Sequence, residues 1–486
     1  MKQSLNAVLV GTFTLLAYTD DARTAEEQRP NVLMIAVDDL NHWVGYLGRN
    51  KQTITPNIDR LAKQGASFTR SYCAAPVCNP SRAALLSGMR PATTGVYGNN
   101  DDWRNVVPPE RTLITTFRNA GYYTAGAGKI YHGGFDRQSE WDDYLQDEGP
   151  SARPKGGKLG VGGILFAPVD GADEDVSDAR IVAYGIEQLQ KKHDKPFFLS
   201  VGLHKPHMPW YVPKKYYDMH PLDSIELPPV TDNDLGDIPP AGQKMANARG
   251  DHAEMLRSGR WKEAIQGYLA AVSYSDAMIG RLLDALKASE YRDNTIVVLW
   301  GDHGWHLGEK EHWRKFALWE EATRAPLLWV VPGLTKPNGV CERTVDFMSI
   351  YPTLCDLAGI PIPSHVEGKS IRSLLANPKS AWNTPALTTY EFNNHAVRSE
   401  GHRYIRYHDG GEELYDETKD PYEWTNLANQ PDLASIKAEL VKFMPKENAA
   451  DIGGKKEARE GVDGKKAGKD KLKKKLKKAV KKNAEN

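Results

Sequence analysis

Four short apolar runs in this chain stop abruptly in polar or glycine-rich residues, three of them at residues that carry chemistry. Asn31–Val37 gives way to Asp38-Asp39, 196–201 leads to His204, Lys205 and His207, 295–300 meets Asp302-His303, and 326–331 is the fourth. A further segment, 122–128, ends in Lys129 and His132. Apolar runs of this length, separated by stretches of helical periodicity, are the pattern of parallel strands buried on both faces. Thr55-Pro56 supplies an N-cap and first-turn proline for a helix over 57–64 that Gly65 closes, and 260–288 reads as a longer amphipathic helix. The fold class is therefore α/β: a large mixed, mostly parallel sheet sandwiched by helices. Ligands of such sheets sit at the carboxyl ends of the strands, where the polar clusters stand.

Two adjacent carboxylates at the end of an apolar strand repel each other unless a cation or a proton compensates them. Alone, an Asp-Asp pair is ordinarily a helix cap or a solvated turn. Three further strand ends with matching polar clusters shift the reading of Asp38, Asp39 and Asp302 to a divalent ion, and oxygen donors favour Ca²⁺ or Mg²⁺. The segment Cys78-Asn79-Pro80-Ser81-Arg82 places a proline where a helix opens, so Cys78 stands at or just before a helix N-terminus, a position that favours anions. A cysteine there is a low-pKa nucleophile, a metal ligand or a modified residue, with a buried structural cysteine as the plain alternative; spacing leaves these open.

Residues 220–255, with Pro228-Pro229 and Pro239-Pro240, read as a long surface excursion. Further on, short runs at 396–399, 402–407 and 412–415, separated by Glu400-Gly401 and 408–411, are the mark of antiparallel hairpins. The expected division is a signal peptide over 1–25, a catalytic domain over 26–375, a small α+β subdomain with an antiparallel sheet over 376–445 and a Lys-rich flexible tail over 446–486. The signal peptide rests on Lys2 and the apolar run 7–17, too short to span a bilayer. It implies a secreted or periplasmic protein without a membrane span.

Basic and acidic residues balance at 63 each, yet 446–486 holds 15 Lys/Arg against 7 Asp/Glu, leaving 48 against 56 in the rest. An acidic body excludes nucleic-acid binding by charge. The basic tail reads as a solvated extension or as an attachment to an anionic polymer. Four cysteines are too few for a disulfide scaffold in a chain of 486 residues.

The stretch Cys78 to Arg82, continued by Leu86, Ser87 and Gly88, resembles the C-x-P-S-R signature of the type I sulfatases, whose cysteine becomes formylglycine. Met89 stands where that signature has its arginine, which follows at Arg90. Within the family the likeness is to the iduronate-2-sulfatase subfamily and its bacterial members. It is carried by Val37 to Leu40, Gly128 to His132, Gly202 to His207, Asp302 to Trp305, Leu307 to Glu309 and Lys315, and it extends from about Asn31 to Leu427.

The resemblance implies an alkaline-phosphatase-like fold. It also implies that Asp38, Asp39, Asp302 and His303 bind one Ca²⁺ together with the oxygen of modified Cys78. Arg82, Lys129 and His132 would hold that residue's hydroxyls, and His207 and Lys315 the sulfate. A hydrated aldehyde would attack sulfur, with Asp302 accepting a proton and His207, or else Lys315, protonating the leaving alcohol. An imidazole is an uncommon Ca²⁺ ligand, so His303 either ligates or hydrogen-bonds beside the ion.

Trp103 and Arg104 resemble a substrate-side segment in which arginine suits a uronate carboxylate, the alternative being a structural stack. His204 and Lys205 either shape their loop or touch substrate. His365 and His395 read as surface residues, and Cys73 is expected reduced or buried. The implied activity is hydrolysis of sulfate esters on a glycan, such as a uronate 2-O-sulfate, after maturation by a formylglycine-generating enzyme. Two rivals are a phosphate or phosphonate monoester hydrolase of the same superfamily and an inactive domain that only binds sulfated glycans.

Overall fold

The computed structural model describes residues 29–453 apart from positions 147, 150, 158 and 248; the signal peptide expected over 1–25 and the tail beyond 453 lie outside the described residues. The first strand, Asn31–Val37, is buried along its whole length. Leu33, Ile35 and Val37 enter one apolar cluster, while Val32, Met34 and Ala36 enter another, as the two-residue period of a strand requires. Each large apolar side chain buried this way contributes about 1.5–3 kcal/mol, so a charge within the run would be costly and the charges wait until its end. Helices Ser177–Gln190 and Trp261–Ala288 cover the first face, and Cys78–Ser87, Leu113–Asn119 and Ile350–Leu357 cover the second.

Eight strands form the main sheet, in the order Gly339–Asp346, Ala66–Tyr72, Leu327–Val330, Thr295–Gly301, Asn31–Val37, Phe197–Leu203, Tyr123–Gly128 and Asp143–Tyr144. All run parallel except Leu327–Val330, which is antiparallel to both neighbours. That corrects the reading of 326–331 as a parallel strand. An apolar run has no direction of its own, and here the chain turns back from the carboxyl end of Thr295–Gly301 without a crossover to the other edge.

Two further expectations change. Thr55 holds the N-cap position of the helix Pro56–Gln64, but its hydroxyl accepts from Gly45 N at 2.8 Å. The helix end is instead capped by the Asp276 carboxylate, which accepts from Asn57 N at 3.0 Å and Ile58 N at 2.8 Å. The excursion 220–255 is no free surface loop: it contains helices Pro240–Ala246 and Asp251–Ser258, and Leu235, Ile238, Met245 and Ala246 are buried against the small sheet.

That small sheet is an antiparallel meander of Ala386–Thr389, His395–Arg398, His402–Arg406 and Glu412–Asp416. One face packs on Leu318, Trp319 and Ala322, the other on the helix Ala434–Val441. Residues 446–453, expected to open the flexible tail, are instead fastened to the body: Ala449 N donates to Ala92 O at 2.7 Å and Ile452 N to Gly95 O at 3.1 Å. Among the described residues no helix is long and apolar enough to cross a membrane.

Candidate active site

The sheet register assembles the site. Val37 lies opposite both Leu203 and Gly301, and Gly128 opposite Gly202, so the residues after four strands emerge side by side. Asp39 then takes a left-handed backbone, φ 60°, which a short acidic side chain tolerates and which directs consecutive aspartates into one pocket. Tyr268, on the long helix, fixes this turn: its hydroxyl donates to Asp39 O and accepts from Asn41 N, each at 2.9 Å.

The helix Cys78–Ser87 points its first residue at these strand ends. Asn99 Oδ1 accepts from Asn79 N at 2.9 Å, and Asn79 Nδ2 donates to the carbonyls of Gly98 and Asp101. Arg82, one turn on, acts as a clamp: Nε donates to Asp302 Oδ2 at 3.0 Å, Nη2 to Asp38 Oδ1 at 3.1 Å and Nη1 to the carbonyl of Lys129. A planar, permanently charged fork is the side chain able to join three strand ends at once.

Around Cys78 Sγ lie Lys315 Nζ at 2.9 Å, His303 Nε2 at 3.3 Å and Asp39 Oδ1 at 3.9 Å. Lys315 Nζ also donates to Asp39 Oδ1 at 3.0 Å, Lys129 Nζ is 3.0 Å from Asp38 Oδ2, and His207 Nε2 is 3.8 Å from Asp39 Oδ2. Burial, then the Asp38 carboxylate, pushes the Cys78 thiol well above its ordinary value despite Lys315. The surrounding protein groups by themselves therefore favour the neutral thiol over the thiolate. Burial would raise Asp38 too, but Lys129, His207 and Arg82 outweigh it and hold that carboxyl well below the usual range, while burial pushes Asp302 up. Burial pushes His132 down to about 2, so its imidazole is neutral, and its Nδ1 has no hydrogen-bond partner.

The donor set fits a divalent cation. One ligand atom from each of Asp38, Cys78, Asp302 and His303 lies within 4.8 Å of the others, all four residues are buried, and Asp39 Oδ2 is buried without a hydrogen bond. His303 Nδ1 is 3.0 Å from the carbonyl of Gly304, which can only accept, so this nitrogen carries a proton and Nε2 is the atom turned to the cluster.

Other expected residues take different places. Trp103 is buried, and Arg104 stacks 3.9 Å over its ring while pairing in a fork with Glu140, Nη1 to Oε1 at 2.5 Å and Nη2 to Oε2 at 3.1 Å. A guanidinium paired with a carboxylate 36 residues away and stacked on Trp103 has the geometry of the structural stack, the alternative to the substrate-side reading. Lys205 is buried, donating to the carbonyls of Pro209 at 2.7 Å and His207 at 3.3 Å, so it shapes the loop that presents His207. His204 Nε2 is 2.7 Å from Glu148 Oε2, and Asp178 accepts from the backbone N–H of both His204 and Lys205. His395 is fully buried against Thr389, not on the surface, and His365 meets the carbonyl of Arg111. Cys73 is buried and free, as are Cys341 and Cys355. Sequence reasoning missed the roles of Asn79, Asn99, Asp178 and Tyr268, polar residues whose partners lie on other elements.

Comparison with known proteins bears on this geometry. A family model described as Sulfatase matches residues 30–360, and one described as N-sulphoglucosamine sulphohydrolase, C-terminal, matches residues 308–450. A sulfatase of Formosa agariphila is 39% identical over 473 residues, covering 91% of this chain and 92% of that protein. The human iduronate 2-sulfatase is 33% identical over 394 residues, covering 69% of this chain and 72% of its own. A solved structure of a 2-O GAG sulfatase superposes with a TM-score of 0.67 at 25% identity, covering 85% of this chain and 90% of that one. The chain shares their alkaline-phosphatase-like fold, a large mostly parallel sheet with a small antiparallel C-terminal sheet. With its family model spanning well over half of the 486 residues, the chain belongs to the sulfatase family, enzymes that hydrolyse sulfate esters.

Proposed function

We propose that this sulfatase removes 2-O-sulfate from a uronate of an acidic glycan, with Cys78 matured to formylglycine and Ca²⁺ held by Asp38, Asp39, Asp302 and His303. The observation that carries the reading is the surroundings of Cys78 Sγ. Lys315, His303 and Asp39 converge on a sulfur whose thiol is pushed up, so the residue is central yet, by its protein surroundings alone, a neutral thiol. Sγ stands in for the oxygen of the matured side chain. Hydrated, that aldehyde supplies a geminal diol as nucleophile, and the cation supplies positive charge at the reacting oxygens.

The chain's own residues do the rest. Arg82 fixes Asp38 and Asp302, so the carboxylates need not reorganise during turnover. Lys129 and Lys315 flank residue 78 and neutralise charge spreading over the sulfate oxygens. Asp302, the carboxyl that burial pushes up, takes the proton of the attacking hydroxyl. His207 Nδ1 is 2.6 Å from the carbonyl of Met208, which keeps one proton there, so the imidazolium form gives its Nε2 proton to the departing alcohol and is left neutral with the Nδ1 proton in place. Neutral His132 hydrogen-bonds through its otherwise unpartnered Nδ1 without adding charge.

The uronate 2-O position rests on the kinship with iduronate 2-sulfatase and the 2-O GAG sulfatase. Export to the periplasm or outside the cell, directed by the apolar run 7–17, belongs to the same reading.

Mass spectrometry of the tryptic peptide ending at Arg82, from protein made in its own host, is expected to find an aldehyde at position 78. Cys78→Ala and Cys78→Ser are expected to lose at least roughly 10⁴-fold in turnover of a 2-O-sulfated uronate. Full activity in Cys78→Ala, or an unmodified thiol in active enzyme, sinks the mechanism. Faster turnover of phosphate than of sulfate esters sinks the substrate class.

A further inference from the structure

We propose that a cavity between the main sheet and the small sheet is a second, non-catalytic binding site for a sulfated saccharide, with arginines for its sulfate or carboxylate groups and an exposed Tyr422–Trp424 stack for a sugar ring. This rests on the glycan-sulfatase reading and adds a second grip on the same class of substrate. The cavity, about 280 Å³ in volume, is lined by Arg49, Arg70, Arg324 and Arg398, with Thr69 and Pro421. That is close to the smallest usual ligand sites, about 300 Å³. Arg70 belongs to Ala66–Tyr72, three places from Asn31–Val37 in the order of the main sheet. At about 4.8 Å per strand it stands roughly 14 Å from the strand that leads to Asp38, so the cavity is separate from the catalytic pocket.

The aromatic stack is built on strained backbone. Glu423 takes a left-handed conformation, φ 59°, which costs a non-glycine residue about 1 kcal/mol or more. Its buried carboxylate accepts from Glu320 N at 2.7 Å and pairs with Arg403 at 2.5 Å, which holds the turn. The rings on either side of it, Tyr422 and Trp424, stack 4.9 Å apart at 16°, with Trp424 37% exposed. Arg49 lies 4.0 Å over the Tyr422 ring and donates to the carbonyl of Pro421 at 3.0 Å, so the stack and the cavity share a wall. A large ring at the surface beside fixed guanidinium groups suits an acidic sugar: the C–H face of a pyranose covers the ring, and its anionic substituents meet the forks.

The wall keeps donors for an anion. Arg324 Nε is buried without a hydrogen-bond partner, while Nη1 is 3.4 Å from Glu320 and Nη2 donates to the carbonyl of Thr69. Arg70 Nη1 meets a carbonyl, that of Glu342, rather than a carboxylate. The acids of the lining are Glu320, Glu417 and the exposed Glu342. Glu320 and Glu417 are each held by the fully buried Arg403 as well as by Arg398. Burial also pushes the Glu417 carboxyl up, which lowers the negative charge facing the cavity.

Calorimetric titration of the full-length Cys78→Ser protein with a tetrasaccharide carrying 2-O-sulfated uronate is expected to show two binding events. Trp424→Ala and Arg70→Gln, added singly, are each expected to weaken one event about tenfold and leave the other, with Tm unchanged. Lys315→Ala is expected to do the reverse. Arg292→Gln removes an exposed positive charge just before Thr295–Gly301 and controls for bulk charge; it is expected to change neither event. An isotherm that Trp424→Ala and Arg70→Gln leave unchanged overturns the proposal, and so does an equal loss in Arg292→Gln. Inorganic sulfate that competes as well as the tetrasaccharide, with Trp424→Ala without effect, makes this a site for the free anion and overturns the saccharide assignment. If the wild-type protein turns over no sulfate ester, the proposed function fails, while the same isotherms still decide the second site.

Discussion

Two buried charge clusters in this molecule have opposite designs. Behind the small sheet, Arg403 is fully buried and bonds to Glu320, to Glu417 at 3.3 Å, to Glu423 at 2.5 Å and to the carbonyl of Leu318 at 3.1 Å. Arg398 joins Glu320 at 3.3 Å and Glu417 at 3.1 Å, and Tyr72 donates to Glu320 at 3.0 Å. Burial would raise Glu320, but Arg398, Arg403 and Arg324 outweigh it and hold its carboxyl well below the usual range. The strand-end site also pairs its charges through Arg82, yet it keeps capacity unspent: Asp39 Oδ2 and His132 Nδ1 lack hydrogen bonds, and His303 turns its Nε2 to two carboxylates and a sulfur. Buried charge alone therefore does not mark a catalytic centre; converging lone pairs with unspent capacity do. The arginine network, in which Glu320, Glu417 and Glu423 each meet a guanidinium, ties the small sheet to the loop beyond the site, since Leu318 and Glu320 follow Lys315 closely.

The contrast breaks most directly at the two arginines. Arg82→Lys keeps the charge but cannot bridge Asp38, Asp302 and the Lys129 carbonyl together, so kcat/KM is expected to fall roughly 10²–10³-fold. Calorimetric titration should also show about 10–100-fold weaker Ca²⁺ binding, with little change in Tm without the ion. Wild-type calcium affinity in this variant would remove the clamp from the account. Arg403→Met makes the opposite case. Leaving Glu423 unpaired and Glu320 and Glu417 with Arg398 as their shared guanidinium is expected to destabilise by about 3–5 kcal/mol, read as a lower Tm, while turnover per folded molecule is unchanged. A variant that keeps its Tm and loses turnover would erase the distinction between the clusters.

A smaller effect comes from histidines outside both. Burial pushes His220 and His395 down to about 4 from an ordinary 6.5. Below that ordinary value the unfolded chain takes protons that the folded chain refuses. Stability is therefore fully present above about pH 6.5 and falls as the pH drops toward about 4. Replacing His395 by Asn should flatten this slope, narrowing the Tm difference between about pH 7 and about pH 5 by roughly 2 °C. An unchanged slope would mean that other groups carry the acid sensitivity.

Much of the architecture was legible where the physics is local. The first strand shows burial on both faces as an unbroken apolar run, and Asp38 marks its end because a charge cannot enter it. Cys78 was placed at a helix start by Pro80, and the helix begins there. The hairpins of the small sheet appeared as short runs between glycines, although the four-residue strand Ala386–Thr389 went unread. Contacts across long separations left no trace. Asp276 caps a helix 219 residues away, and Glu140 claims Arg104, which chemistry alone would have offered to a uronate.

The order of residues by itself determined which side chains are available for chemistry and which end of each strand they occupy, because hydrophobic burial and helix capping act within a few residues. Only the folded chain decided which of them share a pocket, how the Leu327–Val330 strand runs and which arginine is a clamp and which a stack. Those outcomes depend on strand register and on competition between distant partners for the same fork of hydrogen bonds. Neither quantity is defined until the sheet has closed.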